Sequence, residues 1–400
     1  MAAKKKITDD KPERSIDDDD ITSTLVKEIN KEFDTRVAYN LAEASAPTIV
    51  KRWISTGSTL LDYAIANKPG GGVPEGRIIE LAGLPSTGKS HIAYETAKVV
   101  QRMGGIVVYV DTECATSVDK LHQMGLDVRK RFIYVDTHCT EEVFSVIEST
   151  ITKAKTVLAK DLPILVVWDS IAATSPKAEL EGEYEDNTMG LQARVLSKGF
   201  RKLTGVIGKN NVTLLCINQL REKLGGYGGD PYVSPGGKAL PFHASVRIRL
   251  TGEGSQLKDK NGNIIGIRVP LNIIKNKVAA PFRKVSLEIR FGKGVFEDES
   301  LLDELIEWCV INKGVTAGDK VISIIGKGAA WKKLLVTSTD GEVLIEKSFT
   351  KNNFGELRAD PAYNELLEVL VREALVTVYG DVPIDGGVSP KTDDEEGDDT

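Results

Sequence analysis

The stretch GLPSTGKS at 83–90 fits G-x-x-x-x-G-K-[ST], a spacing that sets backbone N–H groups, one ammonium and one hydroxyl around a chain of phosphates. It follows the apolar run RIIELAG and opens HIAYETAKVVQRM. The loop therefore joins a strand to a helix N-terminus, where free N–H groups and the helix dipole both attract anions. Gly83, Leu84, Pro85, Ser86, Thr87, Gly88, Lys89, Ser90 and His91 are the expected nucleotide-binding residues. Lys89 neutralises the outer phosphates and the Ser90 hydroxyl is placed for Mg2+, so ATP and Mg2+ are the expected cofactors.

Ligands of parallel sheets lie beyond the carboxyl ends of the strands, so polar residues that end apolar runs are the next candidates. Three runs supply them: Asp111, Thr112 and Glu113; Asp169 and Ser170; Asn218 and Gln219. Taken singly, each reads equally well as a turn residue, but three on one edge beside a phosphate loop favour chemistry. Asp169, after VVW, is expected to hold the metal's water shell. Glu113 outreaches Asp111 and is the better general base for an attacking water. Gln219 is neither acid nor base; its amide is suited to hydrogen-bonding the γ-phosphate or orienting water.

Gln219 also opens INQLREKLGGYGGDPYVSPGGKALPF, 217–242, whose glycine-rich part is too long to be an idle connection. Arg221, Lys223 and Lys238 suit phosphates, and glycines such as Gly236 and Gly237 permit close backbone approach. Leu224, Tyr227 or Tyr232 suit stacking on bases or wedging between them, a combination that fits single-stranded DNA. A segment ordered by γ-phosphate contacts would then act as a switch. In ELEGEYEDNTMGLQARVLSKGFRKL, Arg194, Lys198, Arg201 and Lys202 share one helical face, with Ser197 beside them, giving a second DNA-facing candidate or a plain solvated face. Lys275 and Lys277 in IIKNKVAAPF, two apart in a strand, are expected to share a face and meet either an anion or solvent.

The elements that must position these groups follow from periodicity. RIIELAG, GIVVYVD, RFIYVD, PILVVWD and VTLLCIN are near-continuous apolar runs separated mostly by helical stretches, as in parallel strands covered on both faces. ASVRIRL, IGIRVPLNIIK and KVSLEIRF then predict an antiparallel extension, and LLDELIEWCVIN opens a smaller mixed module. Near the start, DITSTLVKEINKEF at 20–33 predicts a short amphipathic helix capped by Asp20, with Leu25, Ile29 and Phe33 as its apolar stripe. That stripe must dock on its own core or on a neighbouring subunit.

Composition sets the outer limits. Across 400 residues there is no run of about 18 apolar residues and no apolar segment after the basic start, so a membrane span and a secretory signal are not expected and a cytoplasmic protein is. The formal charge of −6 is misleading, because DDEEGDD at 393–399 carries six acidic groups and the remainder sums to zero. That tail reads as a solubility device or as a competitor with DNA phosphates for basic surface. Cys114, Cys139, Cys216 and Cys309 form no C-x-x-C pair and the four histidines show no zinc spacing, so buried free thiols are expected.

STGSTLLDYAI, GLPSTGKS, VVWDSIAATSPKAELEGE, MGLQAR, INQLREKLG, GGKALPFHASVR and IKNKVAAPF, in this order, closely resemble the bacterial RecA recombinases and their phage-encoded relatives, to about residue 296. The resemblance implies an α/β P-loop NTPase core with a mostly parallel sheet extended by antiparallel strands, a short N-terminal helix and a small α/β C-terminal domain. Its implied divisions are 1–50 for the disordered start and oligomerisation helix, 51–296 for the ATPase and DNA-binding core, 297–380 for the small domain and 381–400 for the acidic tail. It implies a DNA-dependent ATPase that forms helical homo-oligomeric filaments on single strands and exchanges strands with homologous duplex DNA, assisted by single-strand-binding and mediator proteins.

By matching position, Glu113 is the catalytic carboxylate and Gln219 the γ-phosphate sensor. Segments 181–188 and 220–237 are the DNA loops, and Met189 and Leu224 are wedges between stretched bases. Lys275 and Lys277 reach the adjacent subunit's nucleotide, and Phe242 packs at that interface. The chain departs from the family at Ser117 and Lys120 beside the adenine, at Gly228 where the family has an aromatic residue, and at Pro270 and Asn272 where it has basic ones. Capture of the duplex then falls to Arg247, Arg249 or Arg268. An idle ATP-binding scaffold and a ring-shaped motor are the competing readings; intact Lys89, Glu113 and Asp169 oppose the first, and the paired DNA loops and trans lysines oppose the second.

Overall fold

The computed structural model describes residues 18–41, 46, 48–157, 162–183, 188, 190–222, 232–252 and 254–376. Met189, Leu224 and Tyr227, the start before residue 18 and the acidic tail lie outside the described residues. The chain forms two compact units. The first is drawn from Met1–Ile54, Pro74–Leu81 and Ala97–Ser245, the second from Ser55–Val73, Ala82–Thr96 and Val246–Thr400.

Five strands make the sheet of the first unit: β1 (Ile78–Gly83, its last two residues belonging to the second unit), β2 (Ile106–Asp111), β3 (Phe132–Asp136), β4 (Ile164–Asp169) and β5 (Val212–Gln219). Their order is β1-β5-β4-β2-β3, so the chain crosses over repeatedly, and β2–β3, β2–β4 and β4–β5 are parallel. Register aligns the carboxyl ends. Asp111 lies opposite both Asp136 and Asp169, and Trp168 opposite Cys216, so Gln219 lies three residues on from the β5 partner of Trp168.

The crossover helices are held by their apolar faces. Thr140–Val157 buries Val143, Ile147 and Ile151 at helical spacing, and Leu191–Asn210 buries Leu196, Phe200, Leu203 and Ile207. Between them Phe144 meets Trp168 and Phe200 edge-on, at centroid distances of 5.4 and 5.5 Å. Such edge-to-face packing of large rings anchors both helices against β4. One expectation fails here. RFIYVD is not covered on both faces: β3 is the edge strand of this order, and Ile133 and Tyr134 are exposed. An apolar run does not distinguish a central strand from an edge.

In the second unit, β6 (Val246–Leu250), β7 (Ser255–Lys258), β8 (Ile264–Asn276), β9 (Lys284–Arg290) and β10 (Gly294–Phe296) run β6-β8-β9-β10, with β7 paired to β8. The β6–β8, β8–β9 and β9–β10 pairs are antiparallel, the predicted extension. Beyond them come helix Asp298–Asn312, a four-stranded antiparallel sheet over Val315–Thr350, and helix Pro361–Leu375, which starts with proline behind an Asp360 cap that accepts from Ala362 N. In the first unit, the N-terminal helix spans Asp18–Lys31, so it begins before Asp20, which is inside the helix and not its cap. With three further aspartates around it, the cap position could not be read from residue type alone.

Candidate functional site

The first unit gathers its polar groups at the ends of β2, β4 and β5. Glu113 Oε1 accepts hydrogen bonds from Ser170 Oγ at 2.6 Å and from Gln219 Nε2 at 2.6 Å. Three segments far apart in sequence thus meet on one carboxylate. The turn that carries it is pinned by Asp111, which accepts from Glu113 N at 3.1 Å, Thr116 N at 2.9 Å and the Tyr134 hydroxyl at 3.3 Å. Asp111 is buried, so of the two acids after this strand it shapes the turn and Glu113 presents the carboxylate. Thr112 ties the turn to the next strand: its Oγ1 donates to Ser170 O at 2.8 Å and accepts from Ser170 N at 2.8 Å. Asp169 accepts from the Tyr109 hydroxyl at 2.6 Å, which fixes its orientation.

Sequence reading gave Ser170 and Thr112 no role beyond their place at strand ends, and it passed over Tyr109 and Glu80. Glu80 is fully buried in β1, where Asn218 Nδ2 donates to its Oε1 at 3.3 Å and also reaches Pro235 O at 3.3 Å. A charged residue interrupting RIIELAG was the available signal. Asn218 thereby joins the end of β5 to the returning arm of the glycine-rich segment.

The second unit contains the phosphate loop, between β1 and helix Lys89–Arg102. Ser86 and Gly88 have φ of 62° and 91°, the left-handed conformation that turns successive N–H groups to one side. At Gly88 a Cβ would also collide with the Ile289 side chain, so glycine is required twice over. Lys89 is buried and its ammonium donates to Gly83 O at 3.0 Å and Leu84 O at 2.7 Å. The loop thus holds a positive charge against its own carbonyls beside N–H groups at a helix start, a cradle that fits phosphate oxygens. Ser90 in this unit offers a hydroxyl oxygen and Asp169 in the first unit a carboxylate, each by itself a donor that suits a hard cation such as Mg2+.

The DNA-facing candidates divide. On helix Leu191–Asn210, Arg194, Lys198 and Arg201 are exposed on the face away from the core and Ser197 is half-buried. Lys202 is committed elsewhere, to an ion pair with Glu148 at 2.7 Å. Ser197, Arg201, Lys238, Phe242 and His243 line one groove of about 460 Å³, and Phe242 stands 74% exposed at its edge. Gly236 and Gly237 have φ of 82° and 74°, and a Cβ would come within 2.6 Å of Leu196 and 2.9 Å of Ala193 respectively. They let the returning arm lie flat against this helix, a structural need independent of any ligand. Arg221 is exposed, and it pairs with Val233 in a two-residue antiparallel ladder, Arg221–Glu222 against Tyr232–Val233, so the segment has a paired stem.

Two expectations about basic residues need correction. β8 ends at Asn276, whose Oδ1 accepts from Val278 N and Ala279 N, so Lys277 stands in a turn and strand alternation does not place it on the face of Lys275. Lys277 is exposed and Lys275 half-buried. Arg268 is bound by the buried carboxylate of Glu288, with Asp303 3.8 Å away, which occupies the guanidinium proposed for duplex capture. The thiols are corrected too: Cys139, Cys216 and Cys309 are buried, but Cys114 is exposed. Among the described residues, no helix is long and apolar enough to cross a membrane.

The RecA N-terminal domain model matches residues 20–296 of this chain. The protein named Protein RecA from Chloroherpeton thalassium is 34% identical over 351 residues, covering 87% of this chain and 94% of the relative. Protein RecA from Staphylococcus carnosus is 36% identical over 290 residues, 72% of this chain and 78% of the relative, and that from Staphylococcus epidermidis 33% over 359 residues, 90% and 93%.

Proposed function

This chain belongs to the RecA family, and from that premise we propose that Gln219 couples its nucleotide chemistry to its hold on DNA. Membership makes it a DNA-dependent ATPase with strand-exchange activity in recombination and repair, one that binds nucleotide with a divalent metal and forms homo-oligomeric filaments on single-stranded DNA. The finer assignments are ours. ATP is the nucleotide and Mg2+ the metal; Ser90 and Asp169 would hold the ion, which would supply charge neutralisation at the transferring phosphoryl group. Residues 83–91 wrap the phosphates, and Lys89 exchanges its loop carbonyls for phosphate oxygens. Glu113 draws the proton from the attacking water, and Ser170 keeps the carboxylate aimed.

The observation that carries this reading is the 2.6 Å hydrogen bond from Gln219 to Glu113. The amide that touches the general base is two residues from the stem of the DNA segment, so a γ-phosphate competing for that amide shifts the stem. Arg194, Ser197, Arg201, Arg221, Gly236 and Gly237, with Met189, Leu224 and Tyr227, form the strand-binding surface. Lys275, Lys277 and Phe242 serve the neighbouring subunit's nucleotide and interface, and single-strand-binding and mediator proteins load the filament. The core is 51–296, with 1–50, 297–380 and 381–400 as appended parts.

The test combines DNA-stimulated ATP hydrolysis with homology-dependent joint-molecule formation, and adds Gln219→Ala. The wild type should show both activities. The variant should retain DNA-independent hydrolysis but lose most of its DNA stimulation and the ATP-dependent tightening on single strands, about tenfold or more, the scale of an allosteric coupling. Unchanged stimulation and tightening would remove Gln219 from the coupling.

A further inference from the structure

Beside the Glu113 turn stands a group of side chains for which phosphoryl transfer has no use. Cys114, Asp136 and His138 are all exposed, and one ligand atom from each lies within 4.8 Å of the others. Cys114 Sγ is 3.4 Å from Asp136 Oδ1 and 3.9 Å from His138 Nε2. Bond lengths of about 2.3 Å to sulfur and 2.0–2.2 Å to nitrogen or oxygen put tetrahedral zinc ligands roughly 3.3–3.6 Å apart. The sulfur–oxygen pair is already at that spacing, and the sulfur–nitrogen pair needs only a few tenths of an ångström.

The imidazole is oriented for the purpose. His138 Nδ1 lies 2.8 Å from Thr112 O, and a carbonyl oxygen can only accept, so Nδ1 carries the proton and the Nε2 lone pair faces the thiol. A backbone carbonyl fixing the far nitrogen of a metal-binding histidine is the usual outer-shell arrangement. Cys114 itself is held at φ 50°, the left-handed region that side chains seldom adopt, in a turn clamped by Asp111. Asp136 beside it pushes the thiol pKa up, so without a cation the sulfur keeps its proton.

We propose that Cys114, Asp136 and His138 form a surface site for a borderline divalent transition-metal ion, with Zn2+ as the natural occupant and water completing the shell. On binding, the thiol proton leaves to solvent, and thiolate, carboxylate and neutral imidazole donate electron pairs to the ion. Thiolate and carboxylate balance its two positive charges. Cys114 directly follows Glu113, so an ion at this place would brace the turn that presents the general base. The site is distinct in chemistry from the oxygen ligands of Ser90 and Asp169, which select hard cations.

Full-length protein, stripped with chelator and kept in excess Mg2+ without nucleotide, should be titrated with Co2+ and then Zn2+. The expected result is a saturable one-to-one thiolate–Co2+ charge-transfer band with tetrahedral visible bands, displaced by Zn2+. Cys114→Ser should abolish the charge-transfer band, and Asp136→Asn and His138→Gln should each weaken Zn2+ binding at least tenfold, with circular dichroism unchanged. Absence of the band in the wild type, or Zn2+ affinity within twofold of wild type in Cys114→Ser, would overturn the site. The titration contains no ATP or DNA, so its failure leaves the role of Gln219 untouched.

Discussion

The turns after β2 and β5 occupy equivalent places at the carboxyl edge of one sheet, yet they are built in opposite ways. After β2, Asp111 takes two hydrogen bonds from within the turn and a third from Tyr134 on β3, and Thr112 exchanges two more with Ser170. After β5, among the described residues, a two-residue ladder holds the stem, and Asn218 and the Gly236–Gly237 contact with Leu196 and Ala193 fix where the arm returns. The difference teaches where precision is needed. On the proposed assignment a general base must be held in place before the reaction, and among the described residues a hydrogen bond from Gln219 to Glu113 joins its turn to the one that leads into the proposed DNA segment.

The strongest challenge to that contrast is Glu113→Gln, which keeps the shape of the turn and removes the proposed base. ATP hydrolysis should fall by roughly 100-fold or more, while ATP-dependent single-strand binding persists; a loss of binding with hydrolysis would mean the two turns are not separable. Next in size, Asp111→Ala leaves the N–H groups of Glu113 and Thr116 without their acceptor. It should cost about 1–3 kcal/mol in unfolding free energy and lower kcat with little change in single-strand affinity. Normal kcat would show that the turn after β2 is not the rigid partner. The smallest effect belongs to the turn after β5: Arg221→Ala should weaken single-strand binding uniformly across sequences and reduce the salt slope by about one unit. An unchanged slope would take Arg221 off the phosphate backbone.

Much of this was readable from local pattern. Near-continuous apolar runs located all five strands of the first unit's sheet, four of them because burial on both faces leaves no alternation, and the glycine–lysine spacing located the phosphate loop, because few sequences turn N–H groups inward so tightly. The edge position of β3 was not readable, since Ile133 and Tyr134 have the composition of buried residues. Nor was the commitment of Arg268 to Glu288, which depends on which residues face each other across β8 and β9. Lys277 shows the limit of periodicity: alternation holds only while a strand lasts, and Asn276 ends it.

By itself, the sequence determined the strand-and-helix alternation, the phosphate loop, the identity of the acidic and amide residues at the strand ends, and the family. Those properties depend on residue type and short spacing, which backbone geometry translates directly into local structure. Tertiary structure alone decided that Ser170 and Gln219 converge on Glu113, and that an exposed cysteine has an aspartate and a histidine as neighbours. Crossover connections bring those groups together from segments more than twenty residues apart, and no local periodicity encodes the register in which the strands finally pair.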